Sequence, residues 1–312
     1  HHRQAVEQEA ARQRAEHEIF EARFGREGRV LAGLSHPGIV RVVAFGQLDE
    51  GQPYVAMEWL DGEDIAQRQK RAPLSLVDAL EVGAQVADAL GYAHAAGIVH
   101  RDVKPSNVIL VGSSAAGGTP DAKLVAKLVD FGVASAEDAK LTRTGAIIGT
   151  PAYMAPEQAR GDQEVDARAD LYGLGATLFE MIAGRPPHVG PTPVAILARL
   201  VTTPPPHLME IFPDAPLDLD ELMARLLATY PDERPSNAKL VAQELRTIAR
   251  MIETGVHTVN VARHMASEAP PQSMGSIVLS TSKGAGGTRL VTSILATHVP
   301  KGHARARLLA HL

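Results

Sequence analysis

One stretch of this chain, His100-Arg101-Asp102-Val103-Lys104-Pro105-Ser106-Asn107, constrains its fold and chemistry more than any other. It places a carboxylate, an amine and an amide within a few positions of one another. A carboxylate accepts a hydroxyl proton, an ammonium group neutralises a phosphoryl oxygen, and an amide oxygen is a ligand for Mg²⁺. Two further motifs follow in order, Asp130-Phe131-Gly132 and Ala155-Pro156-Glu157. Three such motifs in this order argue against a coincidental charged surface loop.

The ordered set resembles the protein kinases, and most closely the eukaryotic-like serine/threonine protein kinases of bacteria, over about residues 24–252. The resemblance implies an α+β class and a two-lobed protein-kinase-like fold. The N-lobe is expected to be incomplete, with the C-helix and about two strands, and the C-lobe mainly α-helical. Lys104 and the run Gly149–Glu157 are typical of the serine/threonine type. The implied activity is transfer of the γ-phosphate of ATP to Ser and Thr hydroxyls of proteins.

The resemblance assigns a role to each residue of the transfer site. Asp102 is expected to orient and deprotonate the substrate hydroxyl, and Lys104 to contact the γ-phosphate. Thr150 is expected to bridge these two residues and to favour a hydroxyl substrate. Asn107 and Asp130 are expected to hold Mg²⁺. ATP and Mg²⁺ are therefore the implied cofactors.

Nucleotide-binding residues follow from the same resemblance. Met57 is placed at the back of the adenine pocket, and Ile109 at its floor. The backbone carbonyl of Glu58 and the backbone N–H of Leu60 are expected to pair with adenine. Glu27 takes the role of the C-helix glutamate that pairs with a strand lysine.

The region before Glu27 departs from the kinase pattern. The first lysine in the chain is Lys70 and the first glycine is Gly25, so neither the partner lysine nor a Gly-rich phosphate loop precedes Glu27. Two hypotheses stay open: an active kinase whose first strands are absent from this sequence, and a pseudokinase or inactive fragment that acts as a binding module. The chain begins with His rather than Met, which favours a fragment or a trimmed product. As given, it is expected to be weakly active or inactive.

Control is expected to act through the segment that follows Asp130. Thr142 and Thr144 lie between Asp130-Phe131-Gly132, the expected metal-binding loop, and the Ala-Pro-Glu motif. Kinases carry activating phosphates in this segment. Arg101 is the expected partner of such a phosphate, because a guanidinium pairs directly with its charge.

Beside these residues, the resemblance implies a packing role for His100 and Phe131. They are expected to form a column with Leu31 and Val42 that links the lobes and rests on Asp170. His100 is therefore interpreted as a core residue rather than an acid or base.

Composition bounds the remaining functions. The 312 residues are 45% apolar, with a net charge of −5 and no cysteine, which excludes thiolate sites and gives no reason to expect nucleic acid as a partner. No apolar run of about 18 residues predicts a membrane segment, and the polar N-terminus does not resemble a secretory signal. We expect a cytoplasmic signalling enzyme. Its expected partners are protein substrates carrying Ser or Thr, with a second copy of itself as a candidate partner for dimerisation or trans-autophosphorylation.

Three segments are predicted: a partial N-lobe with the hinge over 1–60, the C-lobe over 61–252, and a linker or disordered tail over 253–312. Caps and apolar periodicity predict helices over 3–33, 75–97, 170–183, 193–202, 217–228 and 236–252, and strands over 39–45, 54–60, 108–111 and 123–129. In the tail, Lys283–Thr288 weakly resembles a phosphate-binding loop but lacks the lysine that this chemistry needs.

Overall fold

The computed structural model describes residues 30–47, 53–112, 124–131, 151–162, 164–258, 277–284 and 287–296. Its α-helices are α1 (Ile65–Arg71), α2 (Leu76–Ala95), α3 (Pro156–Arg160), α4 (Arg168–Ala183), α5 (Pro193–Thr202), α6 (Leu208–Ile211), α7 (Leu217–Leu226) and α8 (Ala238–Glu253). Its strands are β1 (Val42–Gln47), β2 (Pro53–Met57), β3 (Gly62–Asp64), β4 (Val108–Val111), β5 (Val125–Leu128), β6 (Val256–Thr258), β7 (Ile277–Gly284) and β8 (Gly287–Ala296). The described strands form three small sheets beside a mainly helical body, and the two strands β1 and β2 agree with the predicted incomplete N-lobe. None of the described helices is both long and apolar enough to cross a membrane.

The N-terminal part contributes a two-stranded antiparallel sheet, in which Ala44 pairs with Ala56. Residues 30–32 before it are helical and belong to the predicted helix over 3–33, most of which lies outside the described residues. Strand β1 begins three residues later than predicted. The reason is that Ile39 forms a parallel bridge with Leu128, and the N–H of Val40 donates to the carbonyl of Leu128 at 3.0 Å. The apolar residues 39 and 40 therefore connect the lobes rather than extend the strand.

Strands β3, β4 and β5 form a three-stranded antiparallel sheet, and β4 directly follows the loop His100–Asn107, called the catalytic loop below. Its two faces differ in burial. Val108 and Leu110 of β4 are fully buried, as is Leu128 of β5. The alternate residues Ile109 and Lys127, which pair across the two strands, are only partly buried. Since side chains alternate along a strand, Ile109 and Lys127 share the face that points away from the hydrophobic core.

The helical body is built around α2, α4 and α8, whose predicted positions are confirmed to within a few residues. The Ser75 side chain caps α2 by accepting from the N–H of Asp78, and Gly97, with φ 78°, lies just beyond the end of this helix. Helices α2 and α4 approach closely at Gly83, where a Cβ would come within 2.5 Å of the Leu178 side chain. Tyr172 and Phe179 of α4 are almost completely buried.

Helix α4 also runs directly beneath the catalytic loop. A Cβ on Gly173 would lie 2.9 Å from the carbonyl oxygen of Val103, the residue after Asp102. Such a distance is shorter than a carbon–oxygen contact allows, so only glycine lets the loop backbone rest on the helix at this point. Helix α4 thereby determines how closely the catalytic loop packs on the helical body.

The segment predicted as linker or disordered tail contains three strands in the structure, which the sequence interpretation did not anticipate. Strands β6, β7 and β8 form an antiparallel sheet in that order. Gly284 pairs with Gly287, so the Gly-rich stretch joins two paired strands as a hairpin. Two strand-like runs separated by a short glycine-containing stretch are typical of hairpins, and the linker interpretation overlooked this signal. A phosphate-binding loop leads into a helix, so the hairpin also removes the weak resemblance at Lys283–Thr288.

Candidate active site

The backbone of the catalytic loop is held by one carboxylate of α4. The N–H of His100 donates to Oδ2 of Asp170 at 2.8 Å, and the N–H of Arg101 donates to Oδ1 at 2.6 Å. His94 of α2 adds a third contact, from Nε2 to Oδ2 at 2.7 Å. The Asp170 side chain is fully buried, and a buried carboxylate is stable only when its oxygens are satisfied in this way. Asp170 therefore fixes the loop to the core of the helical body.

The side chains of Asp102, Lys104 and Asn107 converge in the structure. Lys104 Nζ lies 2.6 Å from Asp102 Oδ2, and Asn107 Nδ2 donates to the same oxygen at 2.9 Å and to the Asp102 carbonyl at 2.9 Å. Asp102 is 45% exposed, whereas Asn107 is buried. Both donors reach Oδ2, which leaves Oδ1 of a fixed, accessible carboxylate for an incoming hydroxyl.

His100 has no place among these reacting groups, in agreement with its predicted packing role. The ring is completely buried and lies 4.6 Å from the ring of Phe131. Its Nε2 contacts the Val129 carbonyl at 2.9 Å, and its Nδ1 accepts from the N–H of Asp102 at 3.2 Å. Burial lowers the pKa of His100, so the imidazole is neutral and its two nitrogens serve the backbone. Leu31 belongs to the same hydrophobic cluster as Phe131, and Val42 packs against it.

Asp130 lies two residues after the end of strand β5. The N–H of Val129 donates to the Asn107 carbonyl at 2.9 Å, which joins the metal-binding loop to the catalytic loop. Asp130 is exposed and has a left-handed backbone, with φ 56°. Because the Asn107 amide nitrogen donates twice to Asp102, the amide oxygen is the atom of this side chain that could act as a metal ligand. An exposed carboxylate and an amide oxygen suit Mg²⁺, which takes few protein ligands and completes its shell with phosphate and water.

The hinge follows β2, where the adenine contacts are predicted. The N–H of Glu58 donates to the carbonyl of Arg41, the residue just before β1, at 2.9 Å. Met57 is 41% exposed, and Leu60 is partly buried. Ile109 of β4 is partly buried on the face of the sheet turned away from the core. The structure thus places these four residues on β2, the hinge and β4.

The end of the activation segment is anchored in the helical body. Glu157 and Arg234 form a buried bidentate pair, with two N–O distances of 2.7 Å, as the Ala-Pro-Glu motif predicts. Gln158 Nε2 donates to the Arg101 carbonyl at 2.9 Å, so α3 also supports the catalytic loop. Arg101 itself is exposed. The predicted residues Glu27, Thr142, Thr144 and Thr150 lie outside the described residues.

Sequence reasoning missed two supporting side chains. Gln158, next to the Ala-Pro-Glu motif, was not singled out, and neither was Lys127, which contacts the hinge carboxylate of Glu58 at 2.6 Å. A lysine on an apolar strand three residues before Asp130 was the available signal for the second. Its partner follows a different strand far away in the chain, so periodicity alone does not identify the pair.

Comparison with known proteins agrees with this geometry. The protein kinase domain family matches residues 4–245. Serine/threonine-protein kinase pkn3 of Myxococcus xanthus is 36% identical over 235 residues, which cover 73% of this chain and 42% of the relative. Serine/threonine-protein kinase PknB of Mycobacterium leprae is 36% identical over 234 residues, which cover 72% of this chain and 36% of that protein. This chain therefore spans less than half the length of these curated relatives.

Among solved structures, the crystal structure of Rad53 1-466 in complex with AMP-PNP has a similar fold. The TM-score is 0.57 at 25% sequence identity, and the match covers 71% of this chain and 54% of that one. The family predicted from the ordered motifs is thereby confirmed.

Proposed function

This chain belongs to the protein kinase family, and we propose that it transfers the γ-phosphate of ATP to Ser and Thr hydroxyls of proteins. One observation carries the proposal: the cluster in which Lys104 and Asn107 hold the carboxylate of Asp102. A binding module has no need of a fixed, accessible carboxylate between an ammonium group and a metal-ligand amide. The same cluster, together with relatives named as serine/threonine kinases, weighs against the pseudokinase alternative.

The cluster suits each requirement of phosphoryl transfer. A substrate hydroxyl placed at Asp102 gives its proton to the carboxylate as its oxygen bonds to the γ-phosphorus, and the bond to the β-phosphate oxygen breaks to leave ADP. Lys104 is within reach of the same place and offsets charge on the transferring group. When bound, Mg²⁺ neutralises charge on the phosphate oxygens, and Asn107 and Asp130 are the residues that would hold it. Thr150 would complete the site beside Asp102.

On the nucleotide side, we assign adenine to the hinge. The Glu58 carbonyl would accept from the exocyclic amino group and the Leu60 N–H would donate to the ring. Met57 would close the back of this pocket, and Ile109 would supply its apolar floor. Glu27 would support the phosphates through a strand lysine that this sequence lacks.

Regulation is proposed to act through the activation segment. Phosphate on Thr142 or Thr144 would pair with the exposed guanidinium of Arg101, whose backbone is already held by Asp170 and Gln158. A second copy of the chain is the simplest donor of that phosphate. We place this signalling activity in the cytoplasm, where ATP and protein substrates meet. Mass spectrometry of active protein, compared with a double Thr→Ala variant, tests the assignment: full activity without phosphate on the loop would contradict it.

The central test is Asp102→Asn in a chain extended at its N-terminus by the residues encoded upstream of His1. The amide cannot accept the hydroxyl proton, so transfer to a generic Ser/Thr acceptor should fall by about 100-fold or more, the usual contribution of a general base. Mg²⁺-ATP binding, measured by calorimetry, should change little because this oxygen acts on the hydroxyl. The exposed Asp214→Asn is the matched control and should retain full activity. Most of the wild-type rate in Asp102→Asn would overturn the proposed function.

A further inference from the structure

Lys127 and Glu58 form an ion pair that joins the hinge to the strand carrying the metal-binding loop. Lys127 Nζ lies 2.6 Å from Glu58 Oε1, and the side chains are only 18% and 24% exposed. The hydrogen bond from Lys127 is the main cause that lowers the pKa of Glu58, so the carboxylate is ionised at neutral pH. A half-buried charge pair of this kind is better shielded from water and salt than a surface pair.

The same carboxylate oxygen holds a third segment. The N–H of Arg41, just before β1, donates to Glu58 Oε1 at 3.0 Å, while the N–H of Glu58 donates back to the Arg41 carbonyl at 2.9 Å. Glu58 is therefore fixed from its main chain and from its side chain. A rotation of the Glu58 backbone, whose carbonyl we assign to adenine, would displace the N–H and the side chain of this residue from these contacts.

Strand β5 gives the pair a firm base. Leu128, next to Lys127, donates to the Gly38 carbonyl at 2.9 Å and accepts from Val40 at 3.0 Å. Lys127 itself pairs with Ile109 and shares with it the face of the sheet opposite the core. Lys127 therefore lies on the same face of the sheet as Ile109, the proposed floor of the adenine pocket. Its strand is hydrogen-bonded to both lobes.

We infer that Lys127 is a positioning residue for adenine recognition. By holding the Glu58 carboxylate, it keeps the hinge backbone in the position that pairs with the base. This inference deepens the proposed function and rests on it. Adenine presents a donor and an acceptor to the hinge, whereas guanine presents the reverse polarity at the corresponding atoms. Loss of hinge register should therefore weaken ATP binding without weakening GTP binding.

The test compares dissociation constants for Mg²⁺-ATP and Mg²⁺-GTP, by calorimetry, in the N-terminally extended chain. Lys127→Met keeps side-chain length but removes the charge, and should weaken ATP binding by about 10-fold, the scale of one charged hydrogen bond, while GTP binding is unchanged. Lys127→Arg should restore ATP binding. The control is Arg246→Met, which breaks a comparable ion pair with Asp88 at the distant contact between α2 and α8 and should change neither constant.

The outcomes are distinguishable. Equal weakening of ATP and GTP in Lys127→Met, with unchanged urea unfolding, would make the pair a general support of the cleft and overturn the inference. Wild-type ATP affinity in Lys127→Met would also overturn it, and would leave the proposed function standing. Absence of ATP binding in the wild-type chain would instead overturn the proposed function and the inference with it.

Discussion

Arg101 and Asp130 both adopt left-handed backbone conformations, with φ 66° and φ 56°. This conformation costs a residue other than glycine about 1–2 kcal/mol. For Arg101 the compensation is visible, because its N–H is bonded to Asp170 and its carbonyl accepts from Gln158. Sequence motifs identified both residues as functional, but not their conformations. The bonds that impose the conformation of Arg101 come from residues about sixty to seventy positions later in the chain, which no local pattern encodes.

His188 is a residue whose environment predicts its effect on stability. It is 4% exposed, and its Nε2 has no hydrogen-bond partner among the described residues. Burial, and then the charge of Arg199, lower its pKa. His188→Phe removes a buried polar atom without a partner and should raise the free energy of unfolding by about 1 kcal/mol at pH 7.5.

The advantage of His188→Phe should grow as pH falls. Because the folded pKa is below the unfolded value of about 6.5, the unfolded state binds the proton first, and the wild-type chain loses stability as pH falls below that value. Urea unfolding at pH 7.5 and 5.5 measures this difference. His188→Asn, which keeps a polar group, should give no gain. A variant His188→Phe that is less stable than wild type at pH 5.5 would contradict the prediction.

Among the elements, the long helices and strand β4 were predicted to within a few residues, whereas the short helix α1 and the strand β3 were not predicted. Ser75 and Gly97 delimit α2 in the sequence as they do in the structure, since caps act locally. The start of β1 was wrong because Ile39 bonds to β5, a partner that is distant in sequence. The tail strands were missed for a related reason: their pairing depends on register between segments, and the Gly-rich hairpin was interpreted as a linker.

We expect the stability of the helical body to be most sensitive to substitutions at the link between α3 and the segment after α7. Arg234 forms the bidentate pair with Glu157, donates to three backbone carbonyls and lies 5.0 Å above the Tyr172 ring. Arg234→Met leaves a buried carboxylate unpaired and should lower the free energy of unfolding by about 3–5 kcal/mol. Chemical denaturation measures the loss.

Two controls interpret that loss. Adding Glu157→Gln to Arg234→Met removes the stranded charge and should recover part of the stability. Arg225→Met breaks an exposed pair with Glu244 and should cost about 1 kcal/mol or less. Similar losses of unfolding free energy for Arg234→Met and Arg225→Met would show that the buried pair stabilises the fold no more than an exposed pair.

On the scale of the whole molecule, the two halves of the cleft are unequally supported. The lower half rests on the apolar core around α2, α4 and α8. The described part of the upper half is a two-stranded sheet, on which Val43 is 62% exposed and the hinge residue Trp59 is 93% exposed. Short sheets with exposed edges and apolar side chains are marginal alone and favour association.

We therefore expect the 312-residue chain to fold its helical body but to transfer phosphate poorly. Loss of one charged contact to the phosphates alone would cost roughly 10- to 150-fold in affinity or rate, from about 1.5–3 kcal/mol. A side-by-side assay against the N-terminally extended chain, with Mg²⁺-ATP and a generic Ser/Thr acceptor, measures the ratio. Equal turnover would show that additional strands are dispensable for ATP binding.

The attachment of the catalytic loop to Asp170 has a consequence for how such an enzyme is switched. The carboxylate of a buried helix orients residues 100 and 101, and Gly173 of the same helix supports Val103. The loop that carries Asp102 is therefore fixed directly to the core helix α4. We expect Asp102, the proposed base, to have no separate inactive position while the molecule is folded. Control of the proposed activity would then act on the entry of nucleotide and on the binding of substrate along the segment that ends at Glu157.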